Sequence, residues 1–312
     1  MLDVRRLRVL KEVAAKGSFS AAAESLAYTQ SAVSQQIAAL EREAGMQLLE
    51  RTARGVHLTD AGRVLAGHAD DILRRLADAE AELEAMAGLR GGRLRLVAFP
   101  SAGGSIMPEA VARFRERHPA VEVTLAPAEP DEAVDALRAG EADIGLTIET
   151  TWAKPGDDAM ARTHLLDDPM YIVLPVGHTQ ATKPKVKVAD LAEDPWILGS
   201  GDASCPDSQI LIRACNAAGF EPRIAFQSDD YNAIQGFIAT GMGISMIPDL
   251  ALTNVRKDVV VRSLGVNAPV RRISAITTEG GFCSPAKTAM LEVLVETADA
   301  WTGNRRRLAL AS

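Results

Sequence analysis

The sequence has few cysteines, few aromatic residues and no long hydrophobic run. Its three cysteines, Cys205, Cys215 and Cys283, are too few for a disulfide framework, which favours a reducing compartment. No apolar stretch approaches the ~18 residues that cross a bilayer, and the first residues form no apolar signal-peptide core. We therefore expect a cytoplasmic protein with no membrane partner.

Clustered catalytic and metal-binding residues are also missing. The five histidines are His57, His68, His118, His164 and His178. They lie far apart without metal-ligand spacing, and the sequence contains no nucleophile-elbow motif. We therefore expect no enzymatic activity, no bound metal and no cofactor.

Charge is distributed unevenly along the chain. The 312 residues carry a formal net charge of −7, but residues 1–65 sum to +2, residues 66–92 to −3 and the remainder to −6. Only the first segment could approach a phosphate backbone without strong repulsion, so any nucleic-acid site is expected there. The length itself predicts two or three domains.

The N-terminal segment shows three short helical patterns. A helix behind Asp3 stops at Gly17, a second begins near Ser20, and a third, capped by Thr29, runs from Gln30 to about Ala44. The outward face of the third helix bears amides and hydroxyls and no acid: Gln30, Ser31, Ser34, Gln35 and Ala38. Such groups can bond to base edges, and the steep crossing of two close helices is typical of a helix-turn-helix. An ordinary three-helix bundle is the alternative.

A β-wing is predicted after Gly45. Two short strands flank an Arg54-Gly55 turn, and the second strand runs from Val56 to Leu58. Arg51 and Arg54 would lie at the base and the tip of the wing, where cations can reach phosphates or a minor groove.

A long helix is predicted from Asp60 to Ala87. Its apolar seam, at spacings of four and three, consists of Leu65, Ala69, Ile72, Leu76, Ala79, Leu83 and Met86. A second copy of the chain is expected to cover this seam, and packing against the chain's own body is the alternative. Gly88, Gly91 and Gly92 end the helix and predict a hinge.

From Leu94 onward, β-rich apolar runs alternate with helical patterns, which is typical of parallel-sheet α/β domains. The region is long enough for two sub-domains of about 100 residues each. A last strand from Ile273 to Thr277 and a last helix from Pro285 to Ala300 close it. The run Arg305-Arg306-Arg307 is then expected in a frayed, solvated tail.

Two stretches carry a family resemblance: SFSAAAESLAYTQSAVSQQIAALE over residues 18–41 and LLERTARGVHLTDAG over residues 48–62. With these residues the chain resembles the LysR-type transcriptional regulators. The resemblance continues more weakly through Gly219-Phe220-Glu221-Pro222 and Gly241-Met242-Gly243-Ile244, so it covers nearly the whole chain.

The resemblance implies an N-terminal all-α winged helix-turn-helix and a long linker helix, followed by an α/β periplasmic-binding-protein-like effector domain of two sub-domains. The implied boundaries are 1–59 for the DNA-binding domain, 60–92 for the linker helix and glycine hinge, 93–302 for the effector domain and 303–312 for a flexible tail. Sub-domain I would comprise about 93–165 and 268–302, and sub-domain II about 166–267. Homodimers form through the linker helix in this family, and they commonly pair into dimers of dimers.

Double-stranded DNA is the macromolecular partner that the resemblance implies. Gln30, Ser34 and Gln35 would face bases in the major groove. Thr29, Ser31, Arg51 and Arg54 would hold the phosphate backbone.

The implied effector site lies in a cleft between the sub-domains. Its candidate residues are Ser101, Ala102, Gly103, Thr147, Glu149, Ser200, Asp202, Ser204 and Asp230. The stretches that hold them contain acids but no Arg or Lys. A neutral, amino-bearing or zwitterionic small molecule is therefore expected, and a dianion is disfavoured.

Two alternatives stay open. Peroxide-sensing members of the family carry a reactive cysteine pair in the region of Cys205 and Cys215, so redox sensing is an alternative trigger. A different class, a cytoplasmic α/β solute-binding protein or enzyme with a helical cap, would not show salt-sensitive binding to promoter DNA.

Overall fold

The N-terminal head consists of three helices and a two-stranded wing. The computed structural model of the chain describes residues 2–52, 55–86, 92–149, 160–199, 205–280 and 284–311. The elements of the head are α1 (Val4–Lys16), α2 (Phe19–Ser25), α3 (Gln30–Ala44), β1 (Leu49–Thr52) and β2 (Gly55–Leu58). Asp3, Ser18 and Thr29 cap the three helices by accepting backbone N–H bonds, and Gly17 and Gly45 end α1 and α3 in left-handed conformations.

The wing is fixed to the helices by polar contacts as well as by the core. The carboxylate of Glu41, near the end of α3, accepts the N–H groups of Leu48 at 2.9 Å and Leu49 at 3.2 Å. The N–H of Val56 donates to the carbonyl of Gly17 at 2.9 Å. The wing is therefore held to α3 and to the turn between α1 and α2.

The long helix α4 (Asp60–Met86) has a seam with two different halves. Ala69 is fully buried and Leu65 packs against the head, as the alternative interpretation expects. Farther along, Ile72, Leu76 and Leu83 are 40%, 42% and 69% exposed. The head thus covers the first part of the seam and leaves the second part open. The predicted hinge at Gly88 and Gly91 lies outside the described residues.

The remainder of the chain forms an α/β domain around two groups of strands. Its strands are β3 (Arg93–Ala98), β4 (Glu122–Pro127), β5 (Ile144–Glu149), β6 (Met160–Pro175), β7 (Pro195–Leu198), β8 (Arg223–Gln227), β9 (Ser245–Pro248), β10 (Val259–Ser263) and β11 (Val270–Thr278). Its helices are α5 (Pro100–Gly103), α6 (Ile106–Arg117), α7 (Pro130–Arg138), α8 (Pro206–Ala217), α9 (Tyr231–Ala239) and α10 (Pro285–Ala311). The fold class that the sequence predicts is confirmed.

The seven-stranded sheet is mixed, although the alternating pattern predicts parallel sheets, whereas β7 and β8 form a separate parallel pair. In the first sheet β3 pairs in parallel with β4 and β5, whereas β11 lies antiparallel between β5 and β6. Strand β6 is 16 residues long. Its residues 160–169 pair with β11, and its residues 170–175 pair with β9 and β10. One strand therefore passes through both groups of strands and joins them.

The C-terminal helix α10 also differs from expectation, because it continues to Ala311 instead of giving way to a tail after residue 302. Arg305 ties this part of the helix to the domain. Its guanidinium contacts the Asp249 carboxylate at 2.8 Å, donates to the Leu252 carbonyl at 3.3 Å and lies over the Trp301 ring. These contacts hold Arg305 against the segment that follows β9.

Gly62 provides a test of how closely α4 approaches the wing. A Cβ at this position would lie 2.0 Å from the Leu48 carbonyl oxygen, whereas a Cβ at Gly67 of the same helix meets open space. We expect Gly62→Ala to destabilise the protein by about 1–3 kcal/mol. The matched change Gly67→Ala should stabilise it by about 0.5–1 kcal/mol because alanine favours a helix interior. Urea unfolding of both variants measures the difference, and equal effects would contradict the packing described.

Candidate functional site

The first candidate surface is the exposed start of α3. The Thr29 hydroxyl accepts the N–H of Ala32 at 3.2 Å and lies 3.0 Å from the Ser31 hydroxyl. Thr29, Gln30, Ser31 and Gln35 are exposed and Ser34 is half-buried, while the first turn contains no acid. The capped turn therefore presents amides and hydroxyls outward on a rigid helix.

The wing residues are described less fully. Arg51 lies in β1 opposite Val56, and nothing is described of its side chain. Arg54 lies outside the described residues. Their contacts with a DNA backbone stay predictions from the sequence.

The second candidate site is a cavity between the two groups of strands. The cavity is narrow, with an enclosed volume of ≈ 30 Å³, and it reaches ≈ 410 Å³ when its opening to solvent is included. Its walls are Phe99, Pro100, Ser101, Glu129, Ile148, Gly199, Cys205, Pro206, Asp207, Asp229, Tyr231 and Arg271. Most of these residues follow the carboxyl end of a strand: β3, β4, β7 or β8. This edge is where open α/β sheets bind ligands.

Arg271 is the central charged group of the cavity, and only 1% of it is exposed. Its Nε donates to Asp168 at 2.9 Å, and one terminal nitrogen donates to both oxygens of Asp207 at 2.9 Å. The other terminal nitrogen donates to Asp168 and, at 3.0 Å, to the Ser101 hydroxyl. The Tyr231 hydroxyl donates to Asp207 as well. The guanidinium thus joins residues of α5, β6 and α8.

The electrostatics of this network follow from burial and pairing. Burial alone would lower the pKa of Arg271, but Asp207 and Asp168 together raise it, so the guanidinium stays charged. Burial raises the pKa of Asp168 to about 6, although Arg271 acts in the opposite direction. Burial, and then Asp207, holds the pKa of Tyr231 well above its usual range. Tyr231 is therefore a neutral hydrogen-bond donor to Asp207.

Among the predicted effector residues that the structure describes in α5 and β5, Ser101 lines this cavity, and the expectation for Ala102, Gly103, Thr147 and Glu149 is wrong. Ala102 is buried in the core below, and Gly103 ends α5. Thr147 and Glu149 flank Ile148, the residue of β5 that lines the cavity.

Asp230 does not line the described cavity. Asp230 caps α9 by accepting the N–H of Asn232, and its neighbours Asp229 and Tyr231 line the cavity instead. Ser200, Asp202 and Ser204 lie outside the described residues.

Arg271 is not among the predicted effector residues, because those residues come only from the turns that follow strands. Arg271 lies at the start of β11, where the predicted strand had not yet begun. The signal was the pair Arg271-Arg272 at the start of a strand. Side chains alternate along a strand, so one arginine of such a pair must point inward. Arg271 is buried and Arg272 is exposed.

The two described cysteines do not have the geometry of a disulfide pair. Cys205 occupies the N-cap position of α8 and Cys215 lies in the same helix, so ten residues separate them by ~15 Å along its axis. A disulfide needs Cα atoms within about 4.4–6.8 Å of each other, so α8 would have to unwind. Burial, and then Asp207, raises the pKa of Cys205, and burial raises that of Cys215 to about 12. Both thiols are therefore protonated at neutral pH, which disfavours redox sensing.

Metal and membrane sites receive no support from the part of the chain that the structure describes. Within the described ranges, no group of histidine, cysteine and carboxylate side chains could hold a metal ion. In the same ranges, no helix is long and apolar enough to span a bilayer.

A winged helix-turn-helix head, a long linker helix and an α/β domain with a central cleft together define a DNA-binding transcriptional regulator that responds to a small molecule. The family model "Bacterial regulatory helix-turn-helix protein, lysR family" matches residues 4–63, and "LysR substrate binding domain" matches residues 87–299. The chain therefore belongs to the LysR family of transcriptional regulators. This membership excludes the alternative of a solute-binding protein or enzyme with a helical cap.

Individual relatives agree with the family. The probable HTH-type transcriptional regulator LrrA of Synechococcus elongatus is 31% identical over 298 residues, which cover 95% of this chain and 98% of the relative. The transcriptional dual regulator OxyR of Escherichia coli is 29% identical over 82% of both chains.

Solved structures share the fold. Full-length CbnR complexed with its target DNA superposes with a TM-score of 0.66 at 24% identity, covering 95% of this chain and 100% of that one. A full-length cysteine variant of OxyR from Pseudomonas aeruginosa gives a TM-score of 0.72 at 20% identity, covering 96% of this chain and 95% of that one.

Removal of the buried guanidinium tests the role of Arg271 in the fold. Arg271→Met should destabilise the protein by about 3–5 kcal/mol, because it leaves Asp168 and Asp207 buried without a cation. Arg272→Met is the matched control, since Arg272 is exposed and lies 3.9 Å from the exposed Asp167. We expect the control to change stability by less than about 1 kcal/mol. Urea denaturation of the two variants measures both values, and similar stabilities would refute this role for Arg271.

Proposed function

We propose that the exposed face of α3 reads base edges in the major groove. The capped first turn, its amides and hydroxyls and its lack of acids support this role. Gln30, Ser34 and Gln35 are proposed to contact bases, while Thr29, Ser31, Arg51 and Arg54 hold the backbone. The structure of CbnR in complex with its target DNA adds support from a protein of the same fold.

We propose further that two chains dimerise through the open half of the α4 seam. Ile72, Leu76 and Leu83 are spaced so that they lie on one side of the helix, and all three are exposed apolar side chains. The head covers only Leu65 and Ala69, so the alternative of packing within one chain accounts for the first part of the seam alone. A dimer presents two α3 helices to a site of approximate two-fold symmetry, and pairing of dimers would extend that site.

The effector is proposed to be an amino-bearing or zwitterionic small molecule in the cavity around Arg271. The expectation of a cleft without a cation needs revision, because Arg271 is present. Asp168 and Asp207 neutralise it, however, and Glu129 and Asp229 add further negative charge to the walls. A dianion is therefore still disfavoured. The sequence analysis disfavours it because the candidate stretches lack a cation, whereas in the structure a cation is present but is outnumbered by carboxylates.

Effector binding is proposed to change the relation between two sub-domains, about 93–165 with 268–302 and about 166–267. Strands β6 and β11 connect the two and form the floor of the cleft, so a ligand in the cleft contacts both parts. Coupling to DNA is expected to be worth about 1–3 kcal/mol, which changes occupancy or DNA bending without creating binding outright. The linker helices would transmit the change to the heads.

Single variants of α3 and the wing test the proposed division of roles. Gln35→Ala should reduce the difference in binding free energy between cognate and scrambled DNA by about 1–3 kcal/mol, because it removes a base contact. Arg51→Ala should weaken binding to cognate and scrambled DNA alike. Gln36→Ala is the control, since Gln36 accepts a bond from Arg6 within the head and lies beside the reading face. Binding titrations at several salt concentrations measure these effects, and equal losses of Gln35→Ala on both DNAs would refute the division.

A charge in the open seam tests the dimer. Leu83→Asp should shift the chain toward monomer, because it removes an apolar side chain whose burial in the interface would contribute about 1.5–3 kcal/mol to dimerisation. Gly67→Asp places the same charge on α4 at a position that faces open space, and it should leave the dimer intact. Sedimentation velocity at several concentrations measures the assembly. Unchanged dimerisation of Leu83→Asp would exclude this part of the seam from the interface.

A further inference from the structure

The cavity contains more negative than positive charge. Arg271 is the cation among its described wall residues, whereas Glu129, Asp207 and Asp229 all contribute carboxylates to the walls. Asp168, which is fully buried behind the cavity, pairs with the same guanidinium. One guanidinium therefore faces four carboxylates.

Each side-chain nitrogen of Arg271 is hydrogen-bonded within the protein. All three of its side-chain nitrogens already donate to oxygens of Asp168, Asp207 or Ser101. Asp168 and Asp207 neutralise the charge of this guanidinium, so it offers little net positive charge to a ligand carboxylate. Its role is to hold the Asp207 carboxylate in place beside the cavity.

Asp207 and Glu129 lie on different walls. Glu129 precedes α7, after β4 of the first sheet, and Asp207 lies in the first turn of α8, after β7. Asp229 follows β8 on the same side as Asp207. Partial loss of water around Glu129, and then the charge of Asp207, raises the pKa of Glu129. Arg271 compensates only part of this negative charge, so Glu129 and the carboxylates of the opposite wall repel each other across the cavity.

We propose that the effector is a net cation whose protonated nitrogen is held between Glu129 on one wall and Asp207 and Asp229 on the other. This inference rests on the proposed function and narrows its ligand class from amino-bearing or zwitterionic molecules to amines of net positive charge. The Tyr231 hydroxyl and Arg271 orient Asp207 for this contact. Because the carboxylates belong to different walls, the bound cation replaces repulsion by attraction and draws the walls together.

A four-carbon series that differs only in its end groups tests the charge preference. Diaminobutane, aminobutyrate, butanediol and succinate are added to the full-length protein, and the thermal midpoint is followed with concentration. We expect diaminobutane to bind at least tenfold more tightly than aminobutyrate, with no stabilisation by succinate. Equal or stronger stabilisation by succinate, or no shift with diaminobutane up to about 50 mM, would overturn the proposal.

Exposed carboxylates allow a matched variant that keeps the buried network intact. The double variant Glu129→Gln with Asp229→Asn should weaken diaminobutane binding at least tenfold. Asp131→Asn with Glu221→Gln removes the same charge from exposed positions outside the cavity walls and should bind diaminobutane as the parent does. Equal weakening of both variants would mean that overall charge, and not this site, attracts the amine.

The pH dependence of diaminobutane binding provides an independent measurement. Glu129 is surrounded by Asp207, Glu132, Asp229 and Arg271, and its pKa is raised, so it takes up a proton before ordinary glutamates as pH falls. Diaminobutane binding should therefore weaken as pH falls through the titration of Glu129. The Glu129→Gln chain should show a flatter pH dependence, and an unchanged profile would contradict the role of Glu129.

Binding to promoter DNA at low salt separates this inference from the proposed function. If the parent chain binds its DNA but prefers succinate, the cation site is refuted and the regulator role stands. If it ignores DNA yet prefers the diamine through Glu129 and Asp229, the site stands and the regulator role is refuted.

Discussion

The effector domain depends on the buried pairing of Arg271 with Asp168 and Asp207. A guanidinium taken from water must recover its solvation from fixed partners, and here the short helix α5, the shared strand β6 and helix α8 provide them. Because these partners belong to elements that are distant in sequence, the pairing fixes how the elements meet. It also determines the chemistry of the cavity, since Asp168 and Asp207 neutralise the Arg271 cation and the remaining charge of the walls is negative.

In the head, polar contacts and close packing likewise fix how the elements meet. Glu41 uses its carboxylate to hold two wing N–H groups, and Gly62 lets α4 pass close to the wing carbonyl of Leu48. The exposed face of α3 can therefore consist of short polar groups, because capping and packing elsewhere hold the helix in place. The open half of the α4 seam begins where the head no longer covers it.

The fold that this chain shares with peroxide-sensing relatives does not determine whether cysteine oxidation is its signal. The fold of OxyR is shared, and two cysteines occur in the same region of this chain. Burial of both thiols, and then the carboxylate of Asp207 beside Cys205, raise their pKa values, and one helix holds the two cysteines apart. A protonated thiol is a poor nucleophile, so these surroundings disfavour the redox trigger although the fold is shared.

Local patterns in the sequence determined the helices of the head, their caps, the wing, the seam and the α/β class, because caps, glycine stops and apolar spacing act over a few residues. The turns after strands also predicted Ser101 and the region of Asp229. Only the tertiary structure decided that Arg271 enters the cleft, that β6 runs through both groups of strands and that α10 extends to Ala311. These features depend on contacts between residues far apart in the chain, such as Arg271 with Ser101 and Arg305 with Asp249, and such pairings leave no periodic signal in the sequence.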